Sequence, residues 1–339
     1  MSGVAVNHRV MFTAERAVEV VEGEAPQPGP REVLVRTTRS LISAGTEGAT
    51  LTGPRWTRPD GVTVPSYPTC PGYSSAGEVV EVGAEVERFS VGDRVCSSAP
   101  HQVLSVFPET HECLWRIPDG VSAEDATFCV LGCTVLNGVR LGHPQLGESV
   151  AVVGMGVLGQ LASRYLSLTG ARPVIGVDLD DHRLGIARGA GAVTHALNPR
   201  ECDAVAEAAA LTEGRGADIV FEVTGRTQTY DLCFDLARKF GTVVALGSPR
   251  WPAEVEMMKL HLKALTCVGA IVSSHPRPGE ERNRWSRPAN GRLFLELLAA
   301  GELEVASIVT HRFPYAEAEE AYPTALGERG AALGVVFEW

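Results

Sequence analysis

The chain has 339 residues, of which 45% are hydrophobic and 21% charged, and its formal net charge at pH 7 is −11. This excess of acidic residues disfavours nucleic acid or a membrane surface as the main partner. A chain of this length is expected to form two domains. The sequence begins without a cationic, apolar leader and contains no uncharged apolar run of about 18 residues, so we expect a cytoplasmic protein without a membrane span.

The first part of the chain, residues 1–134, is predicted to be rich in β-strands. Alternating segments such as Glu32–Thr37 and Gly77–Val82 are separated by turns that contain glycine and proline. From residue 135 to about residue 273, apolar runs alternate with helical patterns, which predicts a parallel sheet with helices on both faces. The predicted strands are Ser149–Val153, Val174–Val177, Ile219–Val223, Thr242–Leu246 and Leu265–Ala270, and the predicted helices are Val157–Thr169, Asp203–Leu211 and Tyr230–Lys239.

Residues 275–291 are rich in proline and arginine and are predicted to form a loop. Arginine forks suit carboxylates and phosphates, so this loop either binds an anion or is simply solvated. Its arginines are Arg277, Arg282, Arg284 and Arg287, with Trp285 among them. After it, Arg292–Ala300 is predicted to be helical, and Ile308–Phe313 and Val335–Phe337 are predicted to be strands that return to the first domain.

Residues 149–178 contain a dinucleotide-binding fingerprint. An apolar run leads into Gly154-x-Gly156-x-x-Gly159, a helical pattern follows, and a second apolar run ends at Asp178. This strand–turn–helix–strand context is what the fingerprint requires.

The fingerprint also predicts which part of a dinucleotide each residue contacts. The backbone N–H groups of Val157 and Leu158, at the start of the helix, are expected to face the pyrophosphate. Asp178 can accept hydrogen bonds from a ribose diol and would repel a 2′-phosphate. The sequence therefore predicts NAD(H) in preference to NADP(H).

Eight cysteines are scattered along the chain, and none forms a Cys-x-x-Cys pair. The closest two, Cys129 and Cys133, have helical spacing. Scattered cysteines in a cytosolic protein are mostly small buried apolar residues, so we expect no four-cysteine structural zinc site.

The order of these segments resembles that of the medium-chain dehydrogenase/reductase superfamily, the zinc alcohol dehydrogenase-like proteins. The resemblance rests on the fingerprint and on CPGYSSAGEVVEVGAEVERFSVGDRV (70–95), GADIVFEVTG (216–225) and GTVVALG (241–247). It implies an α/β fold in which a Rossmann domain is inserted between segments of a β-rich, GroES-like catalytic domain. The implied domains are a first catalytic segment over 1–134, a Rossmann domain over 135–273 and a catalytic return over 274–339.

Shorter stretches look like a zinc-less branch, the bacteriochlorophyllide 2-hydroxyethyl dehydrogenase-like proteins. These stretches are APHQVLSV (99–106), LNGVR (136–140) and SSHPRPGEERNRWSRP (273–288). This narrower resemblance does not imply that the chain acts on a bacteriochlorophyllide.

The chain departs from the zinc-containing members at the metal ligands. Ala44 stands where those proteins have the first ligand cysteine, Tyr73 stands in place of the ligand histidine, and Ser74 in place of the adjacent glutamate. Only Cys133 matches a ligand position. Because a catalytic zinc needs three protein ligands, we expect no metal site.

Without zinc, other groups must handle the proton and the developing alkoxide. The resemblance implies that Thr46 begins a proton relay and that Glu47 supports a neighbouring group or acts as a base. Tyr73 can act as a general acid, and His101 can exchange protons near neutral pH. Each has a structural alternative: a turn threonine, a phenol that fills a vacated cavity, or a histidine held in the core or at the surface.

The resemblance also implies cofactor contacts at the ends of the Rossmann strands. Arg183 is expected near the adenine ribose, and the loops that end the later strands are expected near the nicotinamide. These loop residues are Thr224, Gly225, Gly247, Ser248, Ala270 and Ile271.

The sequence therefore predicts a zinc-independent, NAD(H)-dependent oxidoreductase that interconverts a secondary alcohol and a ketone on a small molecule. One alternative is an NADPH-dependent reductase of enoyl or quinone double bonds, in which hydrogen bonds hold an enolate oxygen. Another is a catalytically silent NAD(H)-binding sensor. By resemblance, a homodimer is expected.

Overall fold

The computed structural model describes residues 6–53, 56–57, 63–249, 254–280, 283–327 and 332–339. The chain divides into unit 1, Met1–Val130 with Arg287–Trp339, and unit 2, Leu131–Ser286. A mixed α/β chain with one unit inserted between two segments of the other confirms the predicted fold class. The units change at 130/131 and 286/287, so residues 274–286 belong with unit 2 rather than with the C-terminal return.

Strands predominate up to residue 116, and helices alternate with strands through most of the remaining chain. The strands are β1 (Val6–Ala14), β2 (Ala17–Glu24), β3 (Glu32–Leu41), β4 (Trp56–Thr57), β5 (Thr63–Val64), β6 (Ser75–Val82), β7 (Arg94–Ser97), β8 (Leu104–Pro108), β9 (Leu114–Arg116), β10 (Val150–Val153), β11 (Val174–Val177), β12 (His195–Leu197), β13 (Ala217–Glu222), β14 (Ala237–Ala245), β15 (Thr266–Gly269), β16 (Val309–Pro314) and β17 (Gly334–Glu338). The helices are α1 (Ala44–Thr52), α2 (Ala123–Ala126), α3 (Cys129–Gly142), α4 (Val157–Leu168), α5 (Asp181–Gly189), α6 (Ala204–Ala210), α7 (Tyr230–Leu236), α8 (Met257–Lys263), α9 (Arg287–Ala299) and α10 (Ala318–Ala325).

Unit 1 is organised around a seven-stranded sheet of order β16-β17-β3-β6-β7-β9, with β8 paired to β3. Strands β1 and β2 form a separate antiparallel pair. The aromatic side chains of Phe12, Tyr322 and Phe337 meet in one buried cluster. This cluster joins the N-terminal strands to the C-terminal segment, so the two parts of unit 1 share one core.

Unit 2 is a six-stranded parallel sheet of order β12-β11-β10-β13-β14-β15. Every residue of β10, β11 and β13 is buried, as expected of strands that are covered on both faces. The chain runs outward from β10 to β12 and then returns to place β13 on the other side of β10. Ligands of such sheets bind at the carboxyl ends of the strands where the order reverses, here between β10 and β13.

One predicted helix of unit 2 is too long. The helix predicted over Tyr230–Lys239 ends at Leu236, and β14 begins at Ala237. The ammonium group of Lys263 donates hydrogen bonds of 2.8 Å to the carbonyl oxygens of Phe234, Asp235 and Ala237. Because a side chain from α8 satisfies these carbonyls, the helix ends earlier than the local pattern predicts.

Six helices in the described part of the chain were not predicted, namely α1, α2, α3, α5, α8 and α10, and α9 begins earlier than predicted. Helix α1 interrupts the segment predicted to be β-rich, and it packs so closely that a Cβ on Gly48 would lie 2.3 Å from Leu326 Cδ2. Helix α9 begins at Arg287, inside the segment predicted to be a loop over 275–291. Both helices contact residues that are distant in sequence: Gly48 of α1 packs against Leu326, and the carbonyl oxygen of Pro288 in α9 accepts a 3.0 Å hydrogen bond from Trp115 Nε1. Within the described ranges, no helix is long and apolar enough to span a membrane.

Candidate active site

The glycine fingerprint forms a tight turn at the carboxyl end of β10. Gly154 has a φ of +104°, and a Cβ there would lie 2.7 Å from Thr224 Cγ2. A Cβ on Gly159 would lie 1.8 Å from the carbonyl oxygen of Gly154, so only glycine lets α4 begin this close to the turn. Val157 and Leu158 form the first turn of α4, where backbone N–H groups and the helix dipole favour an anion.

Asp178 follows β11 and lies against this turn. Its Oδ2 accepts a 2.5 Å hydrogen bond from the N–H of Met155, and its Oδ1 accepts one of 2.9 Å from the N–H of Asp180. Arg183, in the first turn of α5, lies 3.6 Å from the carboxylate of Asp180. The carboxylate predicted to select the ribose thus also fixes the backbone of the fingerprint.

The remaining predicted cofactor residues lie at the same edge of the parallel sheet. Thr224 and Gly225 follow β13, Gly247 and Ser248 follow β14, and Ala270 and Ile271 follow β15. Ala270 is buried, whereas Ile271 is 64% exposed. Sequence reasoning missed Glu222, the buried last residue of β13, whose carboxylate accepts hydrogen bonds from the loop that carries Thr224 and Gly225.

In unit 1, helix α1 positions the predicted catalytic residues Thr46 and Glu47. The residue before the helix is Ser43, and its backbone N–H donates a 2.8 Å hydrogen bond to Glu47 Oε1. Glu47 therefore points inward and fixes the start of its own helix, while Thr46 is exposed.

Three hydroxyl groups meet at the start of α1. The phenol oxygen of Tyr73 lies 2.5 Å from Ser43 Oγ, and the phenol donates a longer hydrogen bond of 3.4 Å to Thr46 Oγ1. We call Ser43, Thr46 and Tyr73 the hydroxyl cluster. Thr46 and Tyr73 were predicted from the sequence, but Ser43 was not. Its position as the residue preceding a helix was the signal, and it was hidden because α1 itself was not predicted.

His101 and Glu47 form a buried pair behind the hydroxyl cluster. Their side chains are 0% and 3% exposed, and His101 Nε2 lies 3.0 Å from Glu47 Oε2. Tyr322 donates a 2.7 Å hydrogen bond to the same oxygen, and Ser40 Oγ lies 2.8 Å from His101 Nδ1. His101 is thus a core residue with both ring nitrogens engaged, which was the structural alternative for it.

Burial and charge have opposite effects on the pKa of Glu47. Burial raises the pKa of Glu47, but attraction to His101 and hydrogen bonds from His101, Tyr322 and the Ser43 N–H outweigh it, so the pKa lies below its ordinary value. Burial and the Glu47 carboxylate raise the pKa of Tyr322 well above its ordinary value. Glu47 is therefore held as a carboxylate, and Tyr322 as a neutral donor.

The residues at the expected metal position do not fit a catalytic zinc. Ala44 has no ligand atom, the phenol of Tyr73 is hydrogen-bonded to Ser43, and Ser74 is buried. Cys133 is a buried residue of α3, and its backbone oxygen lies 3.1 Å from His275 Nε2. In the part of the chain that the structure describes, no group of three His, Cys, Asp or Glu side chains is arranged to hold a metal ion.

The described arginines of the segment 275–291 have different partners. The guanidinium carbons of Arg140 and Arg284 lie 3.5 and 4.4 Å from the ring centroid of Trp285, and Arg287 pairs with Glu112 at 3.0 Å. Burial, followed by repulsion from Arg284, lowers the pKa of Arg140 to about 10. Arg282 lies outside the described residues.

Two known families match the chain. The alcohol dehydrogenase GroES-like domain matches residues 29–161, and the zinc-binding dehydrogenase family matches residues 157–287. The D-guloside 3-dehydrogenase of Escherichia coli K12 is 29% identical over 78% of this chain and 77% of its own length. The L-threonine 3-dehydrogenase of Pyrococcus furiosus is 28% identical over 91% of this chain and 92% of its own length.

Solved structures share the fold over almost the whole chain. A zinc-binding dehydrogenase from Sinorhizobium meliloti 1021, bound to NADP, has a TM-score of 0.80 at 22% identity and covers 99% of this chain and 100% of its own. A protein from Escherichia coli CFT073 described as a short chain alcohol dehydrogenase, complexed with NADH, has a TM-score of 0.81 at 18% identity, with coverage of 99% and 100%.

Proposed function

The chain belongs to the zinc-type alcohol dehydrogenase-like medium-chain dehydrogenase/reductase superfamily, and on this basis we propose that it is a zinc-independent, NAD(H)-dependent oxidoreductase that interconverts a secondary alcohol and a ketone. The observation that carries the proposal is the hydroxyl cluster of Ser43, Thr46 and Tyr73 at the position where relatives are expected to bind zinc. Three hydroxyls can donate hydrogen bonds to a substrate oxygen and so stabilise the negative charge that a metal otherwise stabilises, and a hydroxyl can also give that oxygen its proton.

The proposed cofactor is NAD(H). Structural neighbours are described with NADP and with NADH, so the fold alone leaves the choice open. The Asp178 carboxylate at the carboxyl end of β11 supports the choice, because it can accept hydrogen bonds from a ribose diol and repels a 2′-phosphate. When bound, the nicotinamide supplies or accepts the hydride; the protein supplies orientation and a proton.

In the proposed reaction Tyr73 is the general acid. When a ketone substrate is reduced, the Tyr73 phenol would give its proton to the carbonyl oxygen and would itself be left as a phenolate. The Ser43 hydroxyl, 2.5 Å away, donates to that phenolate, and exposed Thr46 connects it to water, which restores the proton. In the oxidative direction the same protons move in reverse.

In this proposal Glu47 has the supporting role that was one of its two predicted alternatives, and His101 is the core histidine rather than a proton-exchanging residue. Both are fully buried and engaged with each other, with Ser40 and with Tyr322. Their contribution is to fix Ser43 through its backbone N–H, and with it the hydroxyl cluster.

Secondary alcohols are the proposed substrate class. The similar dehydrogenases of Escherichia coli K12 and Pyrococcus furiosus are both named for dehydrogenation at a 3-position, one of a guloside and one of threonine. At 28–29% identity these names support the reaction type but not one substrate. We therefore propose a polar small molecule and leave its identity to the assay.

The test is a panel assay on protein freed of metal. Secondary alcohols drawn from sugar glycosides, hydroxy amino acids and aliphatic diols are offered with NAD+ and with NADP+, and the corresponding ketones with NADH and NADPH. Turnover with NAD(H) that survives dialysis against a chelator, with no stoichiometric zinc in elemental analysis, is the expected result. Reduction of enones or quinones with NADPH would establish the double-bond reductase instead. Binding of NAD(H) without turnover would favour the sensor.

We also propose a cytoplasmic homodimer that forms through the β15 edge of unit 2. β15 pairs only with β14 among the described strands, and the neighbouring α8 exposes Met257, Met258 and Leu262 by 56–67%. Ile271, which follows β15, is also exposed. An edge strand beside an exposed apolar helix is a surface that pairing of two copies would cover.

A further inference from the structure

The carboxylate of Glu222 is fully buried at the carboxyl end of β13, and the loop that follows this strand is built around it. Its Oε1 accepts hydrogen bonds from the N–H of Thr224 at 2.8 Å and from the hydroxyl of Thr229 at 2.9 Å. The hydroxyl of Thr224 donates to the same oxygen, and Oε2 accepts the N–H of Gly225 at 3.2 Å. Four donors from one short loop therefore converge on a single side chain.

The backbone of Glu222 holds the next loop as well. Its carbonyl oxygen accepts the N–H groups of Leu246 and Gly247 at 2.9 and 2.8 Å. A Cβ on Gly247 would lie 2.2 Å from the nitrogen of Gly225 and 2.8 Å from Glu222 Oε2. The loops after β13 and β14 are thus packed against each other, with Glu222 between them.

The fingerprint turn is the third element in contact with this assembly. A Cβ on Gly154 would lie 2.7 Å from Thr224 Cγ2 and 3.2 Å from the nitrogen of Thr224. The position of Thr224, which Glu222 fixes, therefore sets how closely the loop after β13 approaches the turn after β10. These two loops flank the reversal point of strand order where ligands of such sheets bind.

A buried carboxylate is a costly way to make a loop stable. Removing an anion from water is unfavourable unless several donors replace the water, and an apolar residue at the end of a buried strand avoids that cost. The charge also acts on its neighbours: burial, with the Glu222 carboxylate as the next cause, raises the pKa of Tyr230 to about 12. A carboxylate with four loop donors suits a site that must keep one loop conformation.

We propose that Glu222 is a positioning residue for the nicotinamide cofactor, which presets the loops after β13 and β14 against the fingerprint turn. The proposal rests on the proposed function, since it requires that the chain bind NAD(P)(H). Loops fixed in advance lose less conformational entropy when the cofactor binds, so the residue contributes to affinity without touching the ligand.

The test is Glu222→Gln with NADH as the probe. Glutamine keeps the size of the side chain but presents an NH2 group where one carboxylate oxygen accepted hydrogen bonds, so loop donors lose their acceptor. We expect the Kd for NADH, measured by fluorescence titration, to rise about tenfold or more. The Tm without cofactor is measured in parallel.

Asp218→Asn is the matched control. Asp218 lies on the same strand at its amino end, where its carboxylate accepts the N–H and hydroxyl of Ser149 at 2.8 and 2.6 Å and pairs with Arg238. Its neutralisation is expected to lower Tm and leave the NADH Kd within about twofold of the wild type. Equal Kd values for Glu222→Gln and Asp218→Asn would overturn the proposal, because Glu222 would then serve only stability.

A second variant covers the case in which Glu222→Gln does not fold. Thr229→Val removes one donor to Glu222 and leaves the carboxylate in place, and a rise in NADH Kd of about threefold with near-native Tm is expected. An unchanged Kd for this variant then contradicts the proposal.

Titration of the wild type with NADH and NADPH distinguishes a failure of the proposed function from a failure of the role proposed for Glu222. Preference for NADPH contradicts the cofactor choice, and the Glu222 comparison is repeated with NADPH. If neither dinucleotide binds, both the proposed function and the role of Glu222 are wrong. If NADH binds but the variants behave like Asp218→Asn, only the role of Glu222 is wrong.

Discussion

The phenol oxygen of Tyr73 lies 2.5 Å from the hydroxyl oxygen of Ser43, in front of a fully buried Glu47–His101 pair. Ser43 immediately precedes α1, and Glu47 holds its N–H from within the same helix. The hydroxyl to which the phenol is hydrogen-bonded is therefore fixed by the protein core. The hydroxyl cluster is therefore the reactive part of the site, and the Glu47–His101 pair supports it. Substitutions in the two parts are expected to have different effects.

Removal of the phenol should reduce the rate of the chemical step. For Tyr73→Phe we expect kcat to fall by about 10²–10⁴-fold, the usual contribution of a positioned general acid. Ser43→Ala should lower kcat by about tenfold, since it removes one hydrogen bond to the developing phenolate. Both are measured with a substrate found in the panel assay, together with the Kd for NADH, which should not change.

Thr50→Ala serves as the control for these two variants. Thr50 lies on α1, but its hydroxyl donates to the backbone oxygen of Thr46 at 3.0 Å rather than to Tyr73. Its kcat should equal that of the wild type. If Tyr73→Phe also retains wild-type kcat, the assignment of the general acid is wrong.

Glu47 should make the stability of the protein depend on acid pH. Its pKa is lower in the folded chain than its ordinary value of 4.5, so it contributes stability above that value, and the contribution is lost as pH falls through the folded pKa. Glu47→Gln should lower the free energy of unfolding near pH 7 by about 3–5 kcal/mol, because it removes a buried charge and places an NH2 group where a carboxylate oxygen accepted hydrogen bonds. Urea unfolding between pH 7 and pH 3 measures both effects.

Two further variants, one in the same network and one at the surface, are compared with Glu47→Gln. Tyr322→Phe removes one donor to Glu47 and should cost about 1–2 kcal/mol while the acid dependence persists. Glu85→Gln, at an exposed pair with Arg31, should be indistinguishable from the wild type at each pH. If Glu47→Gln keeps the acid dependence of the wild type, the buried pair is not its source.

Asp178 should control which dinucleotide binds. We expect Asp178→Ala to lower the ratio of the Kd for NADPH to that for NADH by about tenfold, since it removes both the acceptor for the ribose diol and the repulsion of a 2′-phosphate. Tm should fall slightly, because the Met155 N–H loses its acceptor. Asp181→Ala, which removes an acidic residue that accepts a hydrogen bond from Asn198, is the control and should keep the wild-type ratio. An unchanged ratio for Asp178→Ala would place the selection elsewhere.

The sequence predicted those features that depend on local pattern. The buried strands β10, β11 and β13 appear as apolar runs, and the fingerprint glycines and Asp178 lie together within residues 154–178, so a local pattern is enough to recognise them. The contact of Gly154 with Thr224 was not predicted, because Thr224 is distant in sequence. The end of α7 could not be predicted, because Lys263, which satisfies its carbonyls, belongs to another helix.

The supporting layer of the candidate site was hidden for the same reason. Tyr322 reaches Glu47 across 275 positions of sequence, and Trp339 donates to Ser40 across 299. No local pattern indicates which buried carboxylate receives such a donor. The sequence therefore left open whether His101 exchanges protons or is held in the core, and the structure shows its Nδ1 and Nε2 held by Ser40 and Glu47 in the core.

The exposed edge of unit 2 should determine the oligomeric state. Wild-type protein is expected to have twice the 36.1 kDa mass of one chain by light scattering after size exclusion. The double variant Met258→Glu/Leu262→Glu places two charges on α8, where an apolar contact is proposed. It should raise the dimer dissociation constant at least about 100-fold, because each buried charge needs a partner that the apolar face lacks. Leu146→Glu changes an 86% exposed apolar residue of the same unit that lies outside α8 and β15, so this variant should remain dimeric. A wild-type monomer, or a dimer that survives the double variant, would exclude this edge as the interface.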